Sequence, residues 1–297
     1  IKNLPTPFET LAVSVPKKYV YHVEMNRPQQ INTFTPVMWR ELNDCFSSLS
    51  ANPECRVVVL SGRGKHFTGG IDFNSLIEME SQTQNVDDVA RRARSFEKLI
   101  TNCQAGITAI EDCVKPVLSM IHSACVGAGV DLVTAADMRY CTEDSWFQVK
   151  EVDLGLAADV GTLQRLPKVI NSYLLRMCCG FNFSLYVLNS SGLQHVMEIA
   201  ETIAKKSPIA VQNTKISLVY SQSRPNKQGL EHIVKYVLTL LCFGLKGAVA
   251  SEITGQMRLN ILCLKVTSAI VVPLRIFGFF KIPERHCIVM GRAYELP

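Results

Sequence analysis

Four apolar residues in a row, Val57-Val58-Val59-Leu60, stand between Arg56 and Ser61-Gly62. A strand with one face in water alternates apolar and polar side chains, because successive residues point to opposite faces. This run offers no polar face, so it reads as a strand covered on both sides, as in a parallel sheet packed between helices. Its neighbours agree. Residues 8–24 alternate as two short strands, Tyr19-Val20-Tyr21-His22-Val23 being the clearer. Thr35, as cap, and Pro36, at the first position, open a helix over residues 37–49. Met38, Leu42, Cys45 or Phe46, and Leu49 share one face of it. Asp87-Asp88 begins a longer amphipathic helix, with Val89, Phe96, Leu99, Ile100, Cys103, Ile107 and Ile110 on its apolar side. Lys115-Pro116 ends that helix, and residues 117–121 read as the next strand. Strand and helix alternating over short connections argue an α/β fold with parallel pairing.

At 297 residues, 47% of them hydrophobic, the chain can build one large domain, alone or with an appendage. Lys plus Arg less Asp plus Glu is 31 − 26 = +5. No basic block stands out, which excludes a dedicated nucleic-acid surface while suiting an anionic ligand such as a phosphate. Cysteine is present 11 times, without Cys-x-x-Cys spacing, so reduced, buried thiols in a non-secreted protein are expected rather than disulfides or a zinc site. Cys178-Cys179 is too close for an easy disulfide and lacks partners for a metal. The chain opens on Ile1, so a targeting peptide is expected to be removed or missing, and residues 295–297 are not a Ser-Lys-Leu address. Lys265, Pro273 and Arg275 interrupt the apolar run at 261–280 and argue against a transmembrane helix there.

Chemistry gathers between Cys125 and Gly161. The small-residue turn Gly127-Ala128-Gly129-Val130-Asp131 leads into an apolar, helix-like segment over residues 132–137. Three acids follow, Glu151, Asp153 and Asp159, of which Glu151 and Asp159 stand in apolar or small-residue company. Carboxylates in such company are costly to bury ionised. A turn opening a helix also presents free backbone N–H groups. Donors of that kind beside carboxylates suit proton transfer next to a carbonyl. Plainer readings stand beside these. Asp131 could complement a helix dipole, Glu151 could be a solvated strand end, and Asp159 could cap a turn. Asp153 reads as structural. The loop Gly62-Arg63-Gly64-Lys65-His66-Phe67-Thr68-Gly69-Gly70-Ile71-Asp72-Phe73 could be an ordinary strand-to-helix turn, with Asp72 as helix cap and His66 in solvent.

The turn, the acids and their spacing resemble the crotonase (enoyl-CoA hydratase/isomerase) superfamily. The run Phe147-Gln148-Val149-Lys150-Glu151-Val152-Asp153-Leu154-Gly155-Leu156-Ala157-Ala158-Asp159-Val160-Gly161-Thr162-Leu163-Gln164-Arg165-Leu166-Pro167 resembles its dienoyl-CoA isomerase branch. The resemblance implies a spiral of ββα turns over residues 8–192, with 171–192 atypical. It implies a helical oligomerisation segment over 193–249, and leaves an unrecognised tail at 250–297. It implies conversion of a 3,5-dienoyl-CoA to a 2,4-dienoyl-CoA in fatty-acid β-oxidation. Asp159 would take the proton from C2, Glu151 would return one at C6, and Asp131 would be the third carboxylate of the pocket. The backbone N–H groups of Ile71 and Ala128 would form the oxyanion hole. Gly69, Gly70, Ile71, Asp72, Phe73 and Ala128 would contact substrate.

The same resemblance implies an acyl-CoA thioester partner, no cofactor beyond the CoA of the substrate, no metal, no nucleic acid and no stable membrane insertion. A homotrimer or homohexamer is expected, in the mitochondrial matrix, the peroxisome or both. Ala128 departs from the family's usual Gly, and Gln30-Ile31 stands where relatives often carry basic residues in the CoA-contacting loop. An enoyl-CoA hydratase is the rival enzyme, against which Asp131 and Asp159 argue. A crotonase-fold binding protein is the rival without catalysis.

Overall fold

A computed structural model of the chain describes residues 7–84, 88–169, 187–188 and 192–243. These belong to the first of two units, Ile1–Phe243 and Gly244–Pro297. Nearly all of the atypical 171–192 segment, Cys178-Cys179 and the whole 250–297 tail lie outside the described residues.

The strands are β1 (Leu11–Lys17), β2 (Val20–Met25), β3 (Val57–Gly62), β4 (Val117–Ile121), β5 (Ala124–Val126), β6 (Met138–Thr142), β7 (Trp146–Gln148) and β8 (Val187–Leu188). The helices are α1 (Pro36–Ala51), α2 (Phe73–Gln84), α3 (Val89–Asp112), α4 (Ala128–Ala135), α5 (Thr162–Val169), α6 (Gly192–Ala204), α7 (Pro208–Ser221) and α8 (Asn226–Phe243). One sheet runs β1-β2-β3-β4-β6-β8, antiparallel between β1 and β2 and parallel thereafter. A second sheet pairs β5 with β7. Two strands and a helix recur as β1-β2-α1, β4-β5-α4 and β6-β7-α5. In the turn that starts with β3, isolated bridges from Thr68 to Cys125 and from Ile71 to Phe34 stand where the other turns have a second strand. The expected α/β spiral is therefore the architecture, with helices α6 to α8 following it.

Strand β3 shows why its sequence has no polar face. Val58 and Leu60 enter one core with Met38, Leu42, Phe46 and Leu49 of α1 and Ile107 and Ile110 of α3. Val57 and Val59 enter another with Leu118 and Met120 of β4 and Val196, Ala200 and Ala204 of α6. Helix α1 starts as its sequence requires, with Pro36 at the first turn and the Thr35 hydroxyl accepting from Met38 N at 3.3 Å. Gly106 lets α3 press on α1, since a Cβ there would lie 2.6 Å from the Trp39 carbonyl oxygen.

Two expectations need correcting. Val89 and Phe96 are 72% and 38% exposed, so the apolar side of α3 is not buried along its whole length. Its buried residues, Cys103, Gly106, Ile107 and Ile110, all lie in the second half, where α3 meets α1. The helix-like segment expected through Asp137 stops at Ala135, and Met138 opens β6. Asp137 is committed elsewhere: its Oδ2 accepts from Val117 N and from buried Lys215 Nζ, each at 2.7 Å. That pair ties α7 to the sheet.

The thiols of Cys45, Cys55, Cys103, Cys113, Cys125 and Cys141 are buried and unbridged. No helix among the described residues is long and apolar enough to cross a membrane. No three His, Cys, Asp or Glu side chains among the described residues are placed to hold a metal ion.

Candidate active site

Two loops meet at the start of α4. Thr68 N donates to the Ala124 carbonyl at 2.9 Å, and Val126 N donates back to the Thr68 carbonyl at 3.3 Å. Gly70, at φ +90°, brings its bare α-carbon against Val126, whose carbonyl oxygen would stand 2.9 Å from a Cβ. Gly129 does the same for Thr68, whose Cγ2 would be 2.4 Å from a Cβ. Side chains at these two positions would hold the loops apart. Ile71 and Ala128 follow the two glycines that meet here, a Cβ on Gly70 lying 3.8 Å from the Gly127 α-carbon, and neither N–H is bonded to an acceptor among the described residues. Ala128 is the first residue of α4, so its N–H belongs to the unpaired, electropositive end of that helix.

The loop before α1 is tied to this place by a residue that sequence reasoning missed. Asn32 is fully buried at φ +50°, and its Nδ2 donates to the carbonyls of Arg63, His66 and Phe67 at 2.8, 3.1 and 3.1 Å. Its Oδ1 accepts from Arg27 N at 2.9 Å. The signal available was weak: Asn tolerates the left-handed region better than most residues. Asp72 caps α2 as expected, accepting from Ser75 N at 3.1 Å. Burial alone would raise its carboxyl, but bonds from Ser75 and Thr33 and the nearby Arg27 hold it below the usual range. His66 is not free in solvent; its Nδ1 lies 2.8 Å from the Ser123 hydroxyl.

The acids occupy three different settings. Asp131, in the first turn of α4, is 1% exposed. Its Oδ1 accepts from Thr162 N at 2.6 Å and from the Thr162 hydroxyl at 2.7 Å, while the buried Oδ2 has no partner. Burial pushes this carboxyl up, the charges of Glu151 and Asp159 add to the push, and Thr162 opposes it; the balance is about 7. Glu151 opens the 3-10 turn Glu151–Leu154, half-buried, with its Oε1 3.4 Å from where a Cβ on Gly127 would sit. Its Oε2 is buried without a partner, and burial followed by Asp159 raises its carboxyl. Asp159 lies exposed in the loop before α5, its carbonyl accepting from Gln104 Nε2 at 2.7 Å.

Asp131 does stand in the first turn of α4, as the dipole reading has it, but buried rather than in water, and Glu151 is only half in solvent. Asp159 sits at the rim, close enough for its charge to act on both. Asp153 is exposed and pairs with Lys150 at 2.5 Å, which suits its structural reading. A buried polar atom without a partner costs about 1–3 kcal/mol, and Asp131 Oδ2 and Glu151 Oε2 are two such oxygens. Exposed Phe73 follows one N–H group in the chain, and exposed Val152, Leu154 and Leu156 follow Glu151, so apolar surface adjoins the polar one. The 410 Å³ cleft that Glu111, Lys168, Lys215 and Tyr220 help to wall includes none of the three acids.

A pH dependence follows from Asp131. Unfolded, its carboxyl returns to about 3.9, and below that pH both states hold the proton. Between there and about 7 the unfolded chain releases a proton that the folded chain keeps, so stability falls as pH rises. The total is on the order of a few kcal/mol. Asp131→Asn is expected to flatten this slope. Denaturant melts at about pH 4.5 and about pH 7.5 check it, and wild-type and variant slopes that run parallel would refute it.

Comparison with known proteins gives the arrangement relatives. The family model for enoyl-CoA hydratase/isomerase matches residues 16–179. The mitochondrial Delta(3,5)-Delta(2,4)-dienoyl-CoA isomerase of Mus musculus is 41% identical over 251 residues, 79% of this chain and 76% of that protein. The peroxisomal Delta(3,5)-Delta(2,4)-dienoyl-CoA isomerase of Arabidopsis thaliana is 40% identical over 236 residues, 75% of this chain and 85% of that protein. Among solved structures, an enoyl-CoA hydratase from Bacillus anthracis matches with a TM-score of 0.69 at 21% identity, over 79% of this chain and 92% of that one. A Thermobifida fusca YX protein solved in complex with CoA matches with a TM-score of 0.69 at 19% identity, over 80% of this chain and 95% of that one. These two likenesses are of fold.

Proposed function

The chain belongs to the enoyl-CoA hydratase/isomerase family, and from that membership we propose that it converts 3,5-dienoyl-CoA to 2,4-dienoyl-CoA by carboxylate proton transfer. The observation that carries the reading is the pair of buried carboxyl oxygens without partners, on Asp131 and Glu151, beside the free N–H groups of Ile71 and Ala128. Relatives about 41% identical, named as dienoyl-CoA isomerases, supply the substrate class. The compartment follows the same relatives, mitochondrion or peroxisome.

The chemistry asks for charge on the thioester oxygen to be met as it forms. In this reading the N–H groups of Ile71 and Ala128 donate to that oxygen, which gains negative charge when C2 loses its proton. Asp159 accepts the C2 proton. The electrons shift along the diene, closing C2=C3 and C4=C5 while C6 takes a proton from Glu151. Burial of Glu151 favours its protonated form, as a donor requires. Asp131 is the third carboxyl of the pocket and is itself held by Thr162. The loop from Gly69 to Phe73 lies along the thioester, and the exposed apolar side chains nearby receive the acyl chain. The scheme calls on no cofactor, since the CoA arrives with the substrate.

Ultraviolet absorbance with a 3,5-dienoyl-CoA tests the activity directly: growth of the 2,4-dienoyl thioester signal is expected. Water addition to a 2-enoyl-CoA with no change in the dienoyl substrate would replace isomerase by hydratase. Binding of either thioester without turnover would leave only a binding protein. Ala128→Gly is a finer probe. It keeps the N–H and removes a methyl group, so turnover is expected to hold or rise, at a helix cost of about 0.5–1 kcal/mol in stability. A large drop in kcat would place the donor elsewhere. We also read α7 and α8, which expose Ile209, Leu218, Leu230 and Val234, as the surface for a homotrimer or a pair of trimers. Sedimentation of the full chain as a monomer would refute that reading.

A further inference from the structure

The segment bearing Asp159 belongs to no sheet. Residues 152–157 and Asp159 itself are exposed, and α5 begins only at Thr162. Ala158 and Val160 pack against the core, and a set of side-chain bonds ties the segment to α3. Gln104 Nε2 donates to the Asp159 carbonyl at 2.7 Å, and Arg165 Nη1 donates to the next carbonyl, that of Val160, at 3.3 Å. The guanidinium is gripped in turn, Nε donating to Glu111 Oε2 at 2.8 Å and Nη2 to the Thr108 hydroxyl at 3.1 Å. Gln104, Thr108 and Glu111 are spaced four and three apart, one face of a helix.

Gly161 explains how the guanidinium gets there. A Cβ on Gly161 would lie 1.8 Å from Arg165 Nη1, and its φ of +132° is one that other residues avoid. The planar group therefore rests on a bare α-carbon. On its other edge the same segment holds Asp131, through Thr162 N at 2.6 Å. One short stretch thus carries Asp159, clamps Asp131 and is anchored by Arg165 and Gln104.

We propose that Arg165 and Gln104 are positioning residues that hold the segment from Asp159 to Thr162 against α3 and so keep Asp159 and Asp131 placed for proton transfer. The catalytic half of this statement rests on the isomerase reading above; the anchorage does not. Lysine cannot replace Arg165, because three partners in a fan need a planar fork of donors and an ammonium presents a point charge. Gln104 is exposed, so losing its amide leaves the core untouched.

Arg165→Lys and Gln104→Leu, each in the full chain, are compared with wild type by hydrogen exchange at the Thr162 amide and by steady-state kinetics. We expect Thr162 exchange to quicken by about 10-fold and kcat to fall by about 10-fold, with KM within about 2-fold. Amides of β3 should exchange at the wild-type rate, which separates loosening of one segment from general destabilisation. Unchanged Thr162 exchange overturns the proposal, as does equal quickening in β3. Faster Thr162 exchange with unchanged kcat overturns the catalytic half. A chain that turns over no dienoyl thioester yet shows the selective quickening overturns the assigned reaction and supports the anchorage.

Discussion

Asp159→Asn is expected to lower dienoyl-CoA turnover by about 10²-fold or more while KM stays within a few-fold. The substitution keeps size and shape and removes only the ability to accept a proton. It should not disturb the segment, because the bond from Gln104 goes to the backbone carbonyl rather than to the carboxylate. The side chain is exposed, so no core packing is lost. A second consequence distinguishes this from a general injury: the charge of Asp159 is one cause of the raised carboxyls of Asp131 and Glu151, so both should titrate lower in the variant. Turnover within a few-fold of wild type would remove Asp159 from the mechanism. Carboxyl resonances followed against pH check the electrostatic half, and unmoved titrations of Asp131 and Glu151 would refute it.

Glu151→Gln is expected to cost a similar factor, about 10²-fold, by removing the proton destined for C6. The difference lies in what survives. With Asp159 and the oxyanion donors intact, C2 should still lose and regain a proton, so exchange of C2 hydrogen with solvent deuterium outlasts product formation. Mass spectrometry of recovered substrate measures the first, and ultraviolet absorbance the second. If C2 exchange and isomerisation vanish together, the division of roles between the two acids is wrong.

Much of the spiral was legible because its elements follow local rules. The Val57–Leu60 run could only be a doubly covered strand, and Thr35-Pro36 could hardly be anything but a helix start. Glu151 and Asp159 stood out through their apolar company, Asp131 through its place in a small-residue turn, and the glycines through their density. Other features depend on contacts far off in the chain. Met138–Thr142 is a strand because it pairs with β4, although its burial follows no clean alternation. The exposure of Phe96 records where α1 ends its cover of α3, which periodicity cannot report. Asn32 gathers three carbonyls from a loop some thirty residues on, about 31 to 35 positions away, and nothing in its own neighbourhood announces that. The orphaned oxygens of Asp131 and Glu151 are properties of the finished pocket alone.

The two-faced burial of β3 also sets a timetable for synthesis. Val58 and Leu60 find their partners in α1 and α3 early, but Val57 and Val59 wait for α6, and from Val59 to Val196 is 196 − 59 = 137 residues. At about 5–20 residues per second the ribosome needs roughly 7–27 s to deliver them. Through that interval the nascent sheet presents a bare aliphatic face, formed on one side and unroofed on the other. That second face is complete only once α6, ending at Ala204, has joined it.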